Sequence, residues 1–439
     1  MVDQRSEMTT RAMENSPSDH GSPGWRALLR VFLNIGLLSF GGPAAQIALM
    51  HRKLVDETRW LSERSFTNAL GFCMLLPGPE AMQLATYAGW RLKGVAGGLL
   101  AGLLFVLPGA AVIFLLGTIY ALYGQVSVLG QAFLGIKAAV LVIVFEALLK
   151  LSRRALTNPS QWVLAGLSFF AIFFLAVPFP LIVLLAAGYG AVAYREDAGE
   201  GAEVAVTVST KRTLATVLIG LVVWFAPLVA VGALSGVPIL SEIGLFFSKL
   251  AVVTFGGAYA VLAYMAQDVV TQNGWLTAGE MMDGLGLAET TPGPLILVTQ
   301  FVAFLAAFKE GGVGLALAGG MVALWATFAP CFLWIFAGAP YIEWISAQPR
   351  LKGALTAIIA AVVGVVLNLS VWFALHVLFG EVSARRHGPL TLWIPNLSSL
   401  DWRVPVITLI CGLLLLRWHK ILFLVLGVAA ALGWGLSQV

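Results

Sequence analysis

The chain has 439 residues, of which 59% are hydrophobic and only 11% charged, with a net charge of +4 and a mean hydropathy of +0.90. Soluble domains carry about 25% charged residues, so this composition excludes a soluble globular protein and defines a polytopic membrane protein. The basic residues lie between apolar runs, where they report orientation rather than nucleic-acid binding.

Residues 1–24 are polar and lack an apolar core, which predicts a disordered cytoplasmic tail rather than a signal peptide. A first repeat is expected over 25–194 and a polar cytoplasmic linker over 195–212, where Arg195, Glu196, Asp197, Glu200, Glu203, Lys211 and Arg212 gather. A connecting span at 213–241 and a second repeat at 242–439 complete the chain. A helix needs roughly 20 apolar residues to cross about 30 Å of hydrocarbon. Runs of that kind fall at 96–123, 131–151, 160–177, 179–194, 213–236, 311–338, 353–379, 402–416 and 418–437, giving an all-α architecture with about nine full spans. Two regions behave differently. Over 26–92 and 242–309 the apolar pieces are too short to cross and suit half-helices or re-entrant hairpins.

Those two regions are copies of each other. Phe40-Gly41-Gly42 returns as Phe255-Gly256-Gly257, Trp60-Leu61 as Trp275-Leu276, and Pro77-Gly78-Pro79 as Pro292-Gly293-Pro294, always 215 positions on. An ungapped register of this length marks an internal repeat. The loop after the first Phe-Gly-Gly carries Arg52, Lys53, Arg59 and Arg64, whereas its counterpart, Ala266 to Glu280, has no Lys or Arg. By the positive-inside rule the first loop is cytoplasmic and the second faces the opposite side. Five expected spans between the two regions give the same inversion. Inverted repeats with matching broken helices are the pattern of secondary transporters, with the site at the repeat interface.

Glycine and proline at a helix break leave the next N–H groups unpaired and pointing outward, and the macrodipole adds about half a positive charge. Such an end suits an anion. Gly41-Gly42-Pro43 is expected to open a helix over Ala44–Leu54, Pro79 one over Glu80–Trp90, and Pro294 one over Leu295–Phe308. Gly256-Gly257 lacks the following proline. Substrate-binding candidates are therefore Ser39, Phe40, Gly41, Gly42, Pro43, Pro77, Gly78, Pro79 and Gln83, with Thr254, Phe255, Gly256, Gly257, Thr290, Thr291, Pro292, Gly293 and Pro294 from the second copy. Hydroxyls in lipid often bond back to their own helix, so each of these serves structure or ligand equally well. Gln46 and Gln300 are further amides suited to lining a cavity.

An ionised carboxylate inside an apolar segment costs at least about 2.5–3.5 kcal/mol. Glu80 and Glu289 occupy such positions on opposite sides of Pro-Gly-Pro, and they are the candidates for proton coupling. Glu80 also suits the first turn of its helix on dipole grounds alone. Lys249, whose mate is Asn34, either snorkels to the interface or attracts an anion. Gly94, Gly97, Gly98 and Gly102, echoed by Gly311, Gly312 and Gly314, read as helix packing. His20, His51, His376, His387 and His419 are scattered. Cys73, Cys331 and Cys411 stand alone without disulfide or metal spacing. No cofactor, metal or enzyme motif is present in the sequence, and a membrane-embedded reductase is the remaining enzymatic reading.

At these residues the chain resembles the chromate ion transporter family in its long, two-domain form. The resemblance is carried by Gly36-Leu37-Leu38-Ser39-Phe40-Gly41-Gly42-Pro43, Ile47-Ala48-Leu49-Met50-His51 and Leu75-Leu76-Pro77-Gly78-Pro79-Glu80-Ala81-Met82-Gln83-Leu84 in the first half. In the second it rests on Thr254-Phe255-Gly256-Gly257-Ala258-Tyr259 and Ala288-Glu289-Thr290-Thr291-Pro292-Gly293-Pro294. The family often has a basic residue where Asn34 stands, so either no charge is needed there or Lys249 supplies it. The resemblance implies a multi-pass protein of the bacterial inner membrane that exports chromate and confers chromate resistance. Sulfate, a tetrahedral dianion of similar shape, is the expected competitor. Uptake or exchange of sulfate-like anions is the alternative, and a homodimer is left open.

Overall fold

Prolines and polar caps decide where helices begin along this chain. In the computed structural model, which describes residues 23–124, 126–194, 210–255, 258–346, 348–418 and 420–438, the first broken region is built from α1 (Trp25–Leu38), α2 (Gly42–His51), α3 (Glu63–Leu75) and the first arm of α4 (Glu80–Tyr123). The predicted tail up to residue 22, the linker from 195 to 209, and Gly256 and Gly257 lie outside the described residues. Pro43 stands in the first turn of α2, Pro79 is the N-cap of α4, and the Ser62 hydroxyl caps α3 by accepting from the Ser65 amide. With 10 residues, α2 is about 15 Å long at 1.5 Å per residue, about half of a membrane core. It runs into a π-helical turn at Arg52–Glu57, so the helix expected over Ala44–Leu54 widens before it ends.

Helix α4 bends where Lys93 and Gly94 leave helical geometry, with Gly94 at φ 64°. The bend divides a half-helix from a full span at the boundary the sequence predicts. Gly94 is thus a hinge rather than a packing residue, and Gly312 at φ 70° does the same in the second half. Then follow α5 (Ser127–Ala155), α6 (Pro159–Phe173), α7 (Phe179–Ala193) and α8 (Thr210–Ser235).

The same order then recurs: α9 (Pro238–Val253), α10 (Ala258–Gln267) with a π turn at Asp268–Gln272, α11 (Ala278–Glu289), and α12 (Val298–Gly338) preceded by a 3-10 turn at Leu295–Leu297. A short α13 (Ile342–Ser346), then α14 (Pro349–Leu378), α15 (Arg403–Gly412) and α16 (Leu422–Leu436) close the chain. Matching details reach single residues. Arg59 and its mate Gly274 are both left-handed, at φ 53° and 62°. Ser62 and its mate Thr277 both cap the following helix.

Among the described residues five helices are long and apolar enough to cross a membrane, at Glu80–Tyr123, Ser127–Ala155, Thr210–Ser235, Leu295–Tyr341 and Pro349–Leu378. Shorter apolar helices lie at Pro159–Phe173, Phe179–Ala193 and Leu422–Leu436. The protein is therefore a mostly helical membrane protein. Helix α9 begins at Pro238, where proline in the first turn fixes its start. One detail departs from the sequence reading. Between α14 and α15 lies a β-hairpin, Val382–His387 paired with Leu390–Pro395, turning at Gly388 with φ 62°. The Thr391 amide ties it to the Phe174 carbonyl at the end of α6.

The halves interlock. Helix α5 packs against α15 and α16, while its counterpart α14 packs against α6 and α7, so each half supplies a long helix to the other's closing pair. Helices α4 and α12 meet at the centre. Small residues allow this approach: a Cβ on Gly135 would stand 1.8 Å from the Ala429 carbonyl oxygen, and one on Gly190 would stand 2.2 Å from that of Gly353. Helix α8 is peripheral, resting on α12 and α9 with only Trp224 buried.

Candidate anion site

The two broken motifs close on each other reciprocally. Helix α1 ends at Ser39 and α9 at Thr254, with similar backbone angles (φ −79° and −78°), and each hydroxyl donates back to the carbonyl four residues earlier, Ile35 at 2.6 Å and Leu250 at 2.5 Å. The two cap carbonyls lie past the last helical bond and face the opposite half. The Gly78 amide donates to the Thr254 carbonyl at 2.8 Å, and the Gly293 amide donates to the Ser39 carbonyl at 2.9 Å. Each Pro-Gly-Pro loop therefore docks on the Phe-Gly-Gly end of the other repeat. Gln46 adds a cross-link, donating from Nε2 to the Gly293 carbonyl at 2.6 Å.

Kinked helices back both loops. Pro108 and Gly109 of α4 lie behind the second loop, where a Cβ on Gly109 would stand 2.0 Å from the Pro292 carbonyl oxygen. Pro330 and Cys331 of α12 correspond to them, and a Cβ on Gly78 would meet Cys331 Sγ at 3.0 Å and Gln83 Nε2 at 2.8 Å. Gly78 at φ 119° and Gly293 at φ 89° need the left-handed freedom of glycine. Gly41 (φ 86°) and Gly42 (φ 79°) need it as well, to turn from α1 into α2.

The donors left over define what the site can hold. The loop amides of Gly78 and Gly293 are committed. The first-turn amides of Glu80, Ala81 and Met82 have no backbone acceptor, since the first helical bond of α4 runs from the Gln83 amide to the Pro79 carbonyl at 3.1 Å. Those of Leu295 and Ile296 are likewise open. Helix N-termini of this kind suit a dianion. Thr290 and Thr291 both donate to the Leu287 carbonyl, at 2.7 and 2.6 Å, so with Ser39 and Thr254 all four hydroxyl hydrogens serve their own helices in this conformation. The side chains of Gln83 and Gln300 are fully buried, bonding the Pro77 and Ala110 carbonyls through Nε2 and leaving Oε1 unpaired. Phe40 packs edge-on against Phe423 of α16, with centroids 5.1 Å apart, and Phe255 is half-buried.

The two loops are not equally open. Pro292, Gly293 and Pro294 are buried, as is every residue from Thr291 to Gln300, whereas Pro77 and Glu80 are half-buried and Gly41 is exposed; Gly42 and Pro43 are half-buried, and Pro79 is buried. Glu289 is buried and accepts a hydrogen bond from the Tyr259 hydroxyl at 2.9 Å. Lys249 and its mate Asn34 are both exposed on their helices, apart from the buried cap residues Thr254 and Ser39.

An ion pair between a buried aspartate and a half-buried lysine escaped the sequence reading. Lys137 Nζ of α5 lies 3.3 Å from Asp283 Oδ1 of α11, and the Tyr120 hydroxyl of α4 donates to Asp283 Oδ2 at 2.8 Å. It joins two helices of the first half to one of the second. The signal was available: both charges interrupt apolar runs, as Glu289 does, and such residues are costly in lipid.

Interlocked duplicate halves, unspanning half-helices and a candidate site with residues from both match the pattern of membrane transport proteins built from doubled, broken helices. Comparison with known proteins agrees. The family model described as "Chromate transporter" matches residues 26–191 and 241–434, and the chain belongs to that family. It is 33% identical over 376 residues to the chromate transport protein of Pseudomonas aeruginosa, covering 82% of each chain. It is 30% identical over 375 residues to that of Cupriavidus metallidurans, covering 80% of this chain and 83% of the relative. A probable chromate transport protein of Synechococcus elongatus is 31% identical over 347 residues, 79% of this chain and 84% of the relative. No solved structure matches.

Proposed function

We propose that this protein exports chromate across the bacterial inner membrane and so confers chromate resistance, with sulfate as a competing dianion. Family membership supports the substrate. The observation that carries the mechanism is the reciprocal pair of bonds, Gly78 to Thr254 and Gly293 to Ser39. A two-fold relation makes every contact occur twice in this way, which supports two structurally related halves, while the loop charges support their inversion and a cytoplasmic N-terminus. The dianion binds near the membrane centre against the first-turn amides at Glu80–Met82 and Leu295–Ile296, lined by the buried amides of Gln83 and Gln300. The halves 25–194 and 242–439, joined by the 195–212 linker and the connecting span 213–241, rock around it. The half-open first loop serves as the entry face, and the sealed second loop as the closed gate.

Energetics favour export without a motor. Two negative charges moving outward through about 100 mV release roughly 4.6 kcal/mol, twice the single-charge value. At about 1.4 kcal/mol per tenfold, that sustains a gradient above a thousandfold. Proton coupling through Glu80 or Glu289 adds control rather than necessary drive. The test is flux into inside-out membrane vesicles under a set potential, interior positive. Chromate should accumulate, and excess sulfate should slow it. Chromate that stays outside at every potential removes this reading.

A further inference from the structure

A groove separate from the broken motifs has no part in the mechanism above. It encloses about 740 Å³ between α5, α14 and α15, that is, between helices of both halves. Pockets of about 300–1,000 Å³ accommodate whole small molecules. Phe145, Val371, Leu409 and Leu416 give it an apolar wall, and Arg417 stands at one end. Its two hydroxyls have their hydrogens turned to the backbone, Ser370 donating to the Val366 carbonyl at 2.9 Å and Thr408 facing the Ala138 carbonyl at 3.5 Å, so neither donates into the groove.

Length and charge identify the occupant. The groove follows α15 and the π turn after it from Thr408 to Arg417, about 14 Å at roughly 1.5 Å per residue, which is about half of the roughly 30 Å hydrocarbon core. That is the depth of one leaflet. The π turn at Leu413–Arg417 widens the helix end and brings Leu413, Leu416 and Arg417 to the same groove. Arg417 is exposed and has no carboxylate partner among the described residues. Beside it are exposed Trp418 and Lys420, an aromatic and a cation of the kind that mark a membrane–water interface. We infer that this groove is a binding site for an anionic phospholipid, its acyl chain lying between α5, α14 and α15 and its phosphate paired with Arg417. A lipid there wedges between the two halves, where its presence bears on their relative movement. The inference depends on the chain lying in a membrane and not on which anion it carries.

The test uses the full chain purified in mild detergent, with phosphatidylglycerol or phosphatidylcholine added and adducts read by native mass spectrometry. Phosphatidylglycerol should remain bound at collision energies that strip phosphatidylcholine. Arg417→Gln should abolish that preference. Gly412 lines the groove, and a Cβ there meets nothing within 4 Å, so Gly412→Phe should fill the space without disturbing the helix and should eliminate the adduct. Equal retention of both lipids by the native chain, or an unchanged phosphatidylglycerol adduct in both variants, overturns the proposal. So does a native dimer that Gly412→Phe splits with lipid still bound, since the groove is then an interface between copies.

Discussion

The Gly78 amide donates to the Thr254 carbonyl across the two halves at 2.8 Å, and the mates of both residues repeat the bond with roles exchanged, Gly293 to Ser39 at 2.9 Å. The two repeats thus share one hydrogen-bonded seam. Donors spent on the seam are not available to an anion, so the proposed binding role falls to the open amides in the first turns of α4 and of the helix after Pro294.

Gly78→Val should abolish chromate flux in vesicles while membrane levels of the protein remain measurable. The φ of 119° strains any side chain, by about 1–3 kcal/mol, and a Cβ must also displace Gln83 Nε2 and Cys331 Sγ. Native flux in this variant would show that the loop does not form the site.

Gly109→Ala adds one methyl group 2.0 Å from the Pro292 carbonyl oxygen. Overpacking of this kind costs about 1–3 kcal/mol, so thermal unfolding in detergent should shift down and flux should fall with it. Gly166→Ala, at an exposed position of α6, is the control, because a Cβ there meets nothing within 4 Å. It should raise stability by about 0.5–1 kcal/mol, since glycine is a poor helix former. Equal shifts in both variants would refute the packing argument.

What could be read from sequence was backbone constraint. Gly41, Gly42, Gly78 and Gly293 announce left-handed turns because few other residues tolerate them, and all four are left-handed in the structure. Pro43 and Pro79 fix helix starts by the same logic. The partner of the Gly78 amide was illegible, because a carbonyl on another half is chosen by tertiary packing and leaves no residue-type signature. Hydroxyls were ambiguous for a related reason: Thr290 and Thr291 bond their own helix, and a threonine ligating an anion has the same sequence. The hairpin at Val382–His387 and Leu390–Pro395 went unseen because attention to apolar length passes over a short alternating pattern.

Lys137→Met should destabilise the protein by about 3–5 kcal/mol, the penalty for leaving a buried charge, here Asp283, without its partner. Adding Asp283→Leu should restore much of that loss, because a buried pair replaced by apolar groups is often neutral. A double-mutant cycle on unfolding measures the coupling. Strict additivity would show that the two side chains act independently.

Acid should weaken the loop that enters α15. Asp401 accepts two hydrogen bonds from the Arg403 guanidinium, at 2.8 and 2.6 Å, and these hold its carboxyl below the ordinary value. A lowered folded pKa contributes stability that is complete above the unfolded carboxyl value, about 3.9, and is lost as pH falls through the folded value. The pair is half-buried at the surface and screened on its open side, so the effect is about 0–1 kcal/mol. Melting curves from pH 6 down to pH 3 should fall more steeply for the native chain than for Asp401→Asn. Parallel curves would mean that the bridge contributes nothing.

Glu289 is the sharper test of coupling, because its surroundings allow a change of charge without a change of shape. It is buried, and among the described residues it accepts one hydrogen bond, from the Tyr259 hydroxyl. Glu289→Gln keeps an acceptor oxygen for Tyr259 and removes only the ability to ionise, so folding and the Tyr259 contact should survive. Tyr259→Phe removes the hydrogen bond and keeps the acid. If Glu289 carries the coupling proton, a pH step across proteoliposomes should drive chromate flux in the native chain and in Tyr259→Phe, but not in Glu289→Gln, while an imposed potential drives all three. Unchanged pH dependence in Glu289→Gln clears that acid, and Glu80, half-buried in the first turn of α4, becomes the acid to substitute next.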